Sequence, residues 1–163
     1  MKVLPWSLRR DSLTVLAIIC CSVIAILVVL SRISSPVPFE LVAEGEMGSG
    51  RGRAPIMLAI RGDDPNRTVP DSLPDKAKET LREILAKPDP SLYVVVYAGL
   101  RGGTGHRLRI NSMGLRRGIW GEQLVIKYSM DEPRPEDVLT HPFVIAHVSK
   151  TTIRAVDVVF ERQ

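Results

Sequence analysis

The sequence predicts a mainly β domain, an antiparallel β-sandwich or open barrel with one covering helix, behind an N-terminal transmembrane helix. Three observations predict it. An 18-residue uncharged apolar run lies near the start; one segment only carries helical periodicity; and short apolar or alternating segments separated by Gly- and Pro-rich turns fill the rest of the 163 residues.

The apolar run, residues 13–30, reads LTVLAIICCSVIAILVVL. As a helix it extends about 27 Å, close to the ~30 Å hydrocarbon core of a bilayer. A helix is the form expected there, because lipid leaves backbone amides without partners. The run is longer than a secretory signal core, and the candidate cleavage region after it, Ser31–Ser35, is a poor small-x-small site, which favours an uncleaved anchor over a cleaved signal peptide. Lys2, Arg9 and Arg10 precede it and Arg32 alone follows closely. The expected topology is therefore a cytoplasmic tip (1–12), a span (13–30), a spacer (31–38) and an extracytoplasmic domain (39–163). Cys20 and Cys21 are the only cysteines and both fall inside the span. The outer domain thus has no disulfide, no thiol nucleophile and no zinc–thiolate site.

Beyond the span, Phe39–Ala43 and the continuous apolar run Ile56–Ile60 are expected strands, the second of them buried. Between them GEMGSGRGR carries four glycines in nine residues and is expected to be a loop. A helix is expected after Ser72, its candidate N-cap. Ala77, Leu81, Ile84 and Leu85 lie on one face, Asp75 in the first turn, and Pro88 and Pro90 beyond the end. From Leu92 the signal is β: LYVVV, then a turn (GLRGGTG), then alternation around Leu108 and Ile110. A second connection (GLRRG) follows, then Ile119–Tyr128, a Pro-bearing loop from Met130 to Pro142, and Phe143–Val148. SKTT is read as the turn joining that strand to a last one, Ile153–Phe160. Short connections favour antiparallel neighbours.

Composition narrows the function classes. The chain holds 22 Lys and Arg against 18 Asp and Glu. Setting aside Lys2, Arg9, Arg10 and Asp11 of the tip leaves 19 against 17, interspersed in sign and poor in aromatics. No nucleic-acid partner is expected. His106, His141 and His147 show no metal-ligand spacing, and His147 is read as structural. Ser49 lacks the G-x-S-x-G context, and the acidic pairs Asp63–Asp64 and Asp131–Glu132 are adjacent loop residues. Neither enzymatic activity nor a cofactor or metal is expected. Arg61-Gly62-Asp63 is a three-residue match of the kind chance supplies.

One stretch goes further. From Leu92 the order is a strand, the turn GGTGH, the alternating strand RLRI, a hairpin, LVIKY, the loop MDEPRPEDVLTHP and FVIAHVSK. This resembles the C-terminal domain of the PrcB family: a strand, a T-G-G-Y turn, an I-x-I strand, a P-G-bearing loop, T-x-x-x-x-Pro and a final apolar strand. FELVAEGEMGSG is similar to the opening of those proteins. Gly103, Thr104, Gly105 and His106 align with the turn, where Gly103 replaces Thr, Thr104 replaces Gly and His106 replaces Tyr. Pro133 aligns with the loop proline, with Arg134 in place of its glycine, and Thr140 and Pro142 align with the approach to the last strand. The resemblance implies a non-catalytic extracytoplasmic bacterial domain with a binding or assembly role; the founding member of that family is an accessory subunit of a surface protease complex.

The expected function is accordingly a membrane-anchored interaction domain for a protein partner, with a protease first among the candidates. Its expected contact residues are Gly103, Thr104, Gly105, His106, Pro133 and Pro142, on turns and loops free to make contacts. Two alternatives are a protease-inhibitor-like sandwich, from Thr104-Gly105 and the Pro-bearing loop, and a small-ligand sensor domain.

Overall fold

In the computed structural model the described residues are 14–23, 34–46, 52–118, 121–131, 134–149 and 157–163. Residues 14–23 form helix α1. Its side chains Val15, Leu16, Ile18, Ile19 and Val23 are 49–60% exposed, so among the described residues none of them packs into the core. Among the described residues no helix is long and apolar enough to cross a membrane. The remainder of the 13–30 run, and the tip 1–12, lie outside them.

The domain is mainly β. One four-stranded sheet has the order β1 (Ser34–Pro36), β6 (Leu108–Gly118), β7 (Gly121–Met130), β10 (Asp157–Arg162). A second has the order β2 (Glu40–Gly45), β9 (Phe143–Val148), β4 (Leu92–Tyr97), β3 (Ile56–Arg61). All pairs in the two sheets are antiparallel except β7 with β10. The sheets share one apolar cluster: Val94, Val96, Val144, Ala146 and Val148 from the second meet Leu108, Met113, Leu124 and Ile126 from the first. Helix α2 (Asp75–Leu85) covers the other face of the second sheet. Its Ala77 and Leu81, with Leu73 just before it, pack on Val95, Tyr97, Phe143 and Ile145. Strands β4 and β9 are therefore apolar on both faces, which is why they read as continuous runs rather than alternations.

Several expectations require correction. The spacer 31–38 is not outside the fold. Ser34–Pro36 pairs with β6, and Val37 is buried in the shared core, its amide donating to Met113 O at 2.9 Å. Backbone pairing over three residues leaves no periodicity to read. The run Ile56–Ile60 is an edge strand, with Met57 exposed. GLRRG is strand: Gly114 lies between Pro36 and Val125 of its neighbours, and β6 and β7 meet at Gly118↔Gly121. The loop expected over Met130–Pro142 contains a strand, β8 (Arg134–Thr140). The turn expected over Gly99–Gly105 contains its partner, β5 (Arg101–Thr104). The last two strands do not form a hairpin. Both edges of β9 are taken, by β2 and β4, so β10 crosses to the free edge of β7 and pairs there in parallel. Residues 150–152 of SKTT lie outside the described residues.

Helix α2 also starts later than Ser72. Pro74 occupies the N-cap position with an extended ψ and no side-chain cap bond, and Asp75 follows in the first turn, paired to Lys78 at 2.7 Å. Its C-terminal end is held from outside, because Arg67 donates Nη2–H to Leu85 O at 2.8 Å and Nη1–H to Asp64 O at 2.9 Å. A cation on the last carbonyls satisfies an orphan acceptor and opposes the helix dipole. Arg67→Ala is expected to lower stability by about 1–2 kcal/mol in urea unfolding, and Arg67→Lys to recover only part, since lysine lacks the planar fork that bridges two carbonyls.

Candidate functional site

The site grows from the two segments nominated by their turn residues, which lie some thirty positions apart in the chain. Arg101↔Thr140, Gly102↔Leu139 and Thr104↔Arg134 pair β5 with β8 into a two-stranded ribbon. The register slips between Gly102 and Thr104, where Gly103 has φ +97°, and Gly105 follows at φ +81°. These are left-handed values that favour glycine. The buried Thr140 hydroxyl donates to Gly103 O at 3.2 Å and locks the bulge. Leu139, 68% exposed, and Val138, 39% exposed, lie on β8.

At the root of the ribbon one residue holds both of the histidines found there. The Glu46 carboxylate accepts the His106 amide at 2.9 Å, and the Glu46 carbonyl accepts the His141 amide at 2.7 Å. The His106 ring is fixed by a 2.9 Å contact between Nε2 and Gly102 O. A carbonyl only accepts, so Nε2 carries a proton. Nδ1 is buried and has no hydrogen-bond partner among the described residues. His141 belongs to a different network. Tyr97 Oη lies 2.6 Å from Gly52 O and 2.7 Å from His141 Nδ1. The phenol has one proton and the carbonyl can only accept it, so Tyr97 donates to Gly52 and receives the His141 Nδ1–H. Burial pushes the Tyr97 hydroxyl above its ordinary range.

Of the nominated residues, the structure thus brings Gly103, Thr104, Gly105 and His106 to one corner. Pro142 anchors the same corner by accepting the Ala98 amide at 3.0 Å. Pro133 lies outside the described residues. Glu46, Arg107, His141 and Tyr97 were not nominated. No spacing links them, since Glu46 follows the end of β2 and Tyr97 closes β4. Two adjoining recesses open here. The smaller, about 180 Å³, is lined by Glu44, Glu46, His106, Leu108 and Phe143. The larger, about 500 Å³, is lined by Thr104, Gly105, Asp131 and Arg134, and shares Glu46 and Arg107 with the first.

Elsewhere the structure offers less chemistry. A cleft of about 630 Å³ follows the free edge of β3, and its Arg67 is already committed to capping α2. Arg61 of the RGD tripeptide folds back on Asp63, Nε to Oδ1 at 3.1 Å. His147 lies against Tyr93, ring centroids 5.4 Å apart, with Glu40 4.0 Å from its Nδ1. Among the described residues no three His, Cys, Asp or Glu side chains gather as a metal site.

Tyr93 and Asp89 form a titrating pair beside it. The Ser91 hydrogen bonds, then that of Tyr93, hold Asp89 below the usual carboxylate range. Burial, then the Asp89 bond at 3.0 Å, pushes Tyr93 up to about 12. The sign follows by linkage. A raised phenol favours the folded state fully below the unfolded value near 10, and that contribution is lost as pH rises through about 12. A lowered carboxylate acts in the opposite window, its contribution being lost as pH falls through the folded value. Stability measured by urea unfolding is expected to decline above pH 10, and less steeply in Tyr93→Phe.

The chain matches no protein-family model, no curated protein and no solved structure.

Proposed function

We propose that this chain is a membrane-anchored, non-catalytic binding domain of β-sandwich form that presents the β5–β8 ribbon to a protein partner outside the cytoplasm. One observation carries the reading: the two nominated segments join into a single ribbon that leaves Leu139 68% exposed. An open leucine on a protruding ribbon is apolar surface that a protein partner can cover.

The chain's path supports it. The first strand begins at Ser34, opposite Arg116, with only three residues between it and the end of the apolar run 13–30. From Arg116, β6 climbs eight residues to Leu108 at the ribbon's root, about 27 Å at strand rise. With residues 13–30 in the bilayer, the Ser34 end sits near its surface and the ribbon stands off from it. A tether of this kind raises effective concentration toward partners on the same membrane. The similarity to the PrcB pattern favours a protease complex as that partner. The test is co-purification of full-length chain from native membranes in mild detergent. A stoichiometric partner retained by wild type and lost from Leu139→Asp supports the reading. A partner retained equally by both refutes the role of the ribbon.

A further inference from the structure

A strand at the margin of a sheet carries main-chain donors and acceptors that the sheet leaves unused, and folded proteins blunt such edges. The two four-stranded sheets end in β1, β10, β2 and β3. The first three are blunted. β1 is three residues long and ends in Pro36. β10 carries Asp157, Glu161 and Arg162. β2 carries Glu40 and Glu44 and is broken by an irregularity between Leu41 and Ala43. β3 has none of these devices. Its six residues, Ile-Met-Leu-Ala-Ile-Arg, hold an unbroken register with β4, and its one charge stands at the end.

One bond fixes which groups of β3 are free. Gly62 continues the register opposite Ser91 and donates its amide to Ser91 O at 2.9 Å. Bonded pairs alternate along an antiparallel ladder, so Ile60, Leu58 and Ile56 also turn their N–H and C=O toward β4. Met57 and Ala59, between them, turn theirs away, and among the described residues no turn or loop takes them up. A cleft of about 630 Å³ runs along this edge. One wall holds Leu92, Val148 and Val158, on the inter-sheet side. The other holds Thr68 and Pro70, whose neighbour Val69 packs with Ile60 and Leu58 on the helix side. The charges of the cleft balance: Arg61 and Arg67 stand against Asp64 and against Asp63, the partner of Arg61. A neutral occupant that both donates and accepts in line matches such an edge, which describes an extended backbone. A second copy of this chain would bring its own two walls into the same space.

We propose that β3 is a docking edge for an extended segment of a partner polypeptide, which adds antiparallel as a further strand of the second sheet. Two residues of the segment, opposite Met57 and Ala59, exchange N–H···O=C bonds with them. Met57 and Ala59 lie opposite Val96 and Val94, so the side chains of those two residues turn to the inter-sheet wall of Leu92, Val148 and Val158. The intervening side chains turn toward Thr68 and Pro70. The segment is therefore read mainly through its backbone, and alternates between apolar and polar residues. This edge is a second contact surface. Leu92 pairs with Val148 at one end of β4 and β9, and Tyr97 with Phe143 at the other, beside the root of the ribbon.

The test uses full-length chain in detergent micelles and the peptide acetyl-KTVTVTK-amide as probe. Hydrogen exchange of the Met57 and Ala59 amides is followed by ¹⁵N–¹H NMR. Both are expected to exchange rapidly in the free chain and to slow about tenfold or more at saturating peptide. The peptide N-methylated at its two valines, which face the edge, is expected to give no protection. The peptide N-methylated at its threonines, whose amides point outward, is expected to protect as the parent does. Ala59→Pro removes one free donor and leaves every bond to β4, so it is expected to weaken binding about tenfold with the urea midpoint little changed. Met57→Lys, at an exposed edge position, is a second variant that keeps the backbone intact and is expected to weaken binding in the same direction. No protection by the parent peptide, equal protection by both methylated peptides, or binding unchanged in both variants overturns the proposal. So does protection of Met57 and Ala59 in the peptide-free chain that grows with protein concentration, which would make the edge a contact between copies. The titration is made on the isolated chain, so its outcome is independent of whether Leu139 recruits a partner.

Discussion

Gly52→Ala is expected to lower stability by about 3–5 kcal/mol, the range reached when a mutation forces backbone to move. A Cβ at this position is driven into the Ser72 carbonyl oxygen, and its next contacts are the Ser72 carbonyl carbon and Cβ. The first two are main chain, so no rotamer change relieves the overlap. Moving the Gly52 segment also withdraws the carbonyl that accepts the Tyr97 hydroxyl. One methyl group therefore separates the segment before β3 both from the approach to α2 and from the centre of the second sheet. Urea unfolding should show a lower midpoint, with an unchanged slope if the folded state keeps its buried surface.

Tyr97→Phe is the second large effect, at about 2–4 kcal/mol, although the ring fits unchanged. Removing the oxygen leaves two buried groups without partners, the Gly52 carbonyl and the His141 Nδ1–H, and each unpaired group costs about 1–3 kcal/mol. The two effects share one network. Tyr97→Phe combined with His141→Leu should therefore destabilise by less than the sum of the single variants, because the donor stranded by the first change is removed by the second.

These sites show which layer of the protein was legible. Apolar patterning located the second sheet. Leu92–Tyr97 and Phe143–Val148 stand where the continuous runs place them, and Ala77, Leu81 and Leu85 face the core as their spacing implies. Patterning failed where strands are held by backbone rather than by burial. Strand β5 is Arg-Gly-Gly-Thr and its partner β8 contains a proline, so both read as turns although they pair over several residues. The parallel β7–β10 pair was hidden for another reason. Chain proximity favours a hairpin, and only the occupied edges of β9 forbid it.

The site was half legible on the same grounds. Gly103 and Gly105 announce themselves, because left-handed backbone calls for glycine. Glu46 does not. It follows the last residue of a short strand, at the margin of a glycine-rich loop, and acquires meaning only when the fold sets its carboxylate on the His106 amide and its carbonyl on that of His141. His141 was visible as one of three histidines. Its partner Tyr97 lies 44 positions away, and no local pattern spans that separation.

The claim that this chain is a tethered binding domain with the ribbon as its contact surface is tested most directly by site-specific photo-cross-linking in intact cells. A photoreactive residue is placed at Leu139 in one variant and at Glu79, on the exposed side of α2, in another. The account predicts one discrete protein adduct from position 139, in the membrane fraction, and none from position 79. An adduct of the same mass and yield from both positions, or adducts from 79 alone, would contradict it.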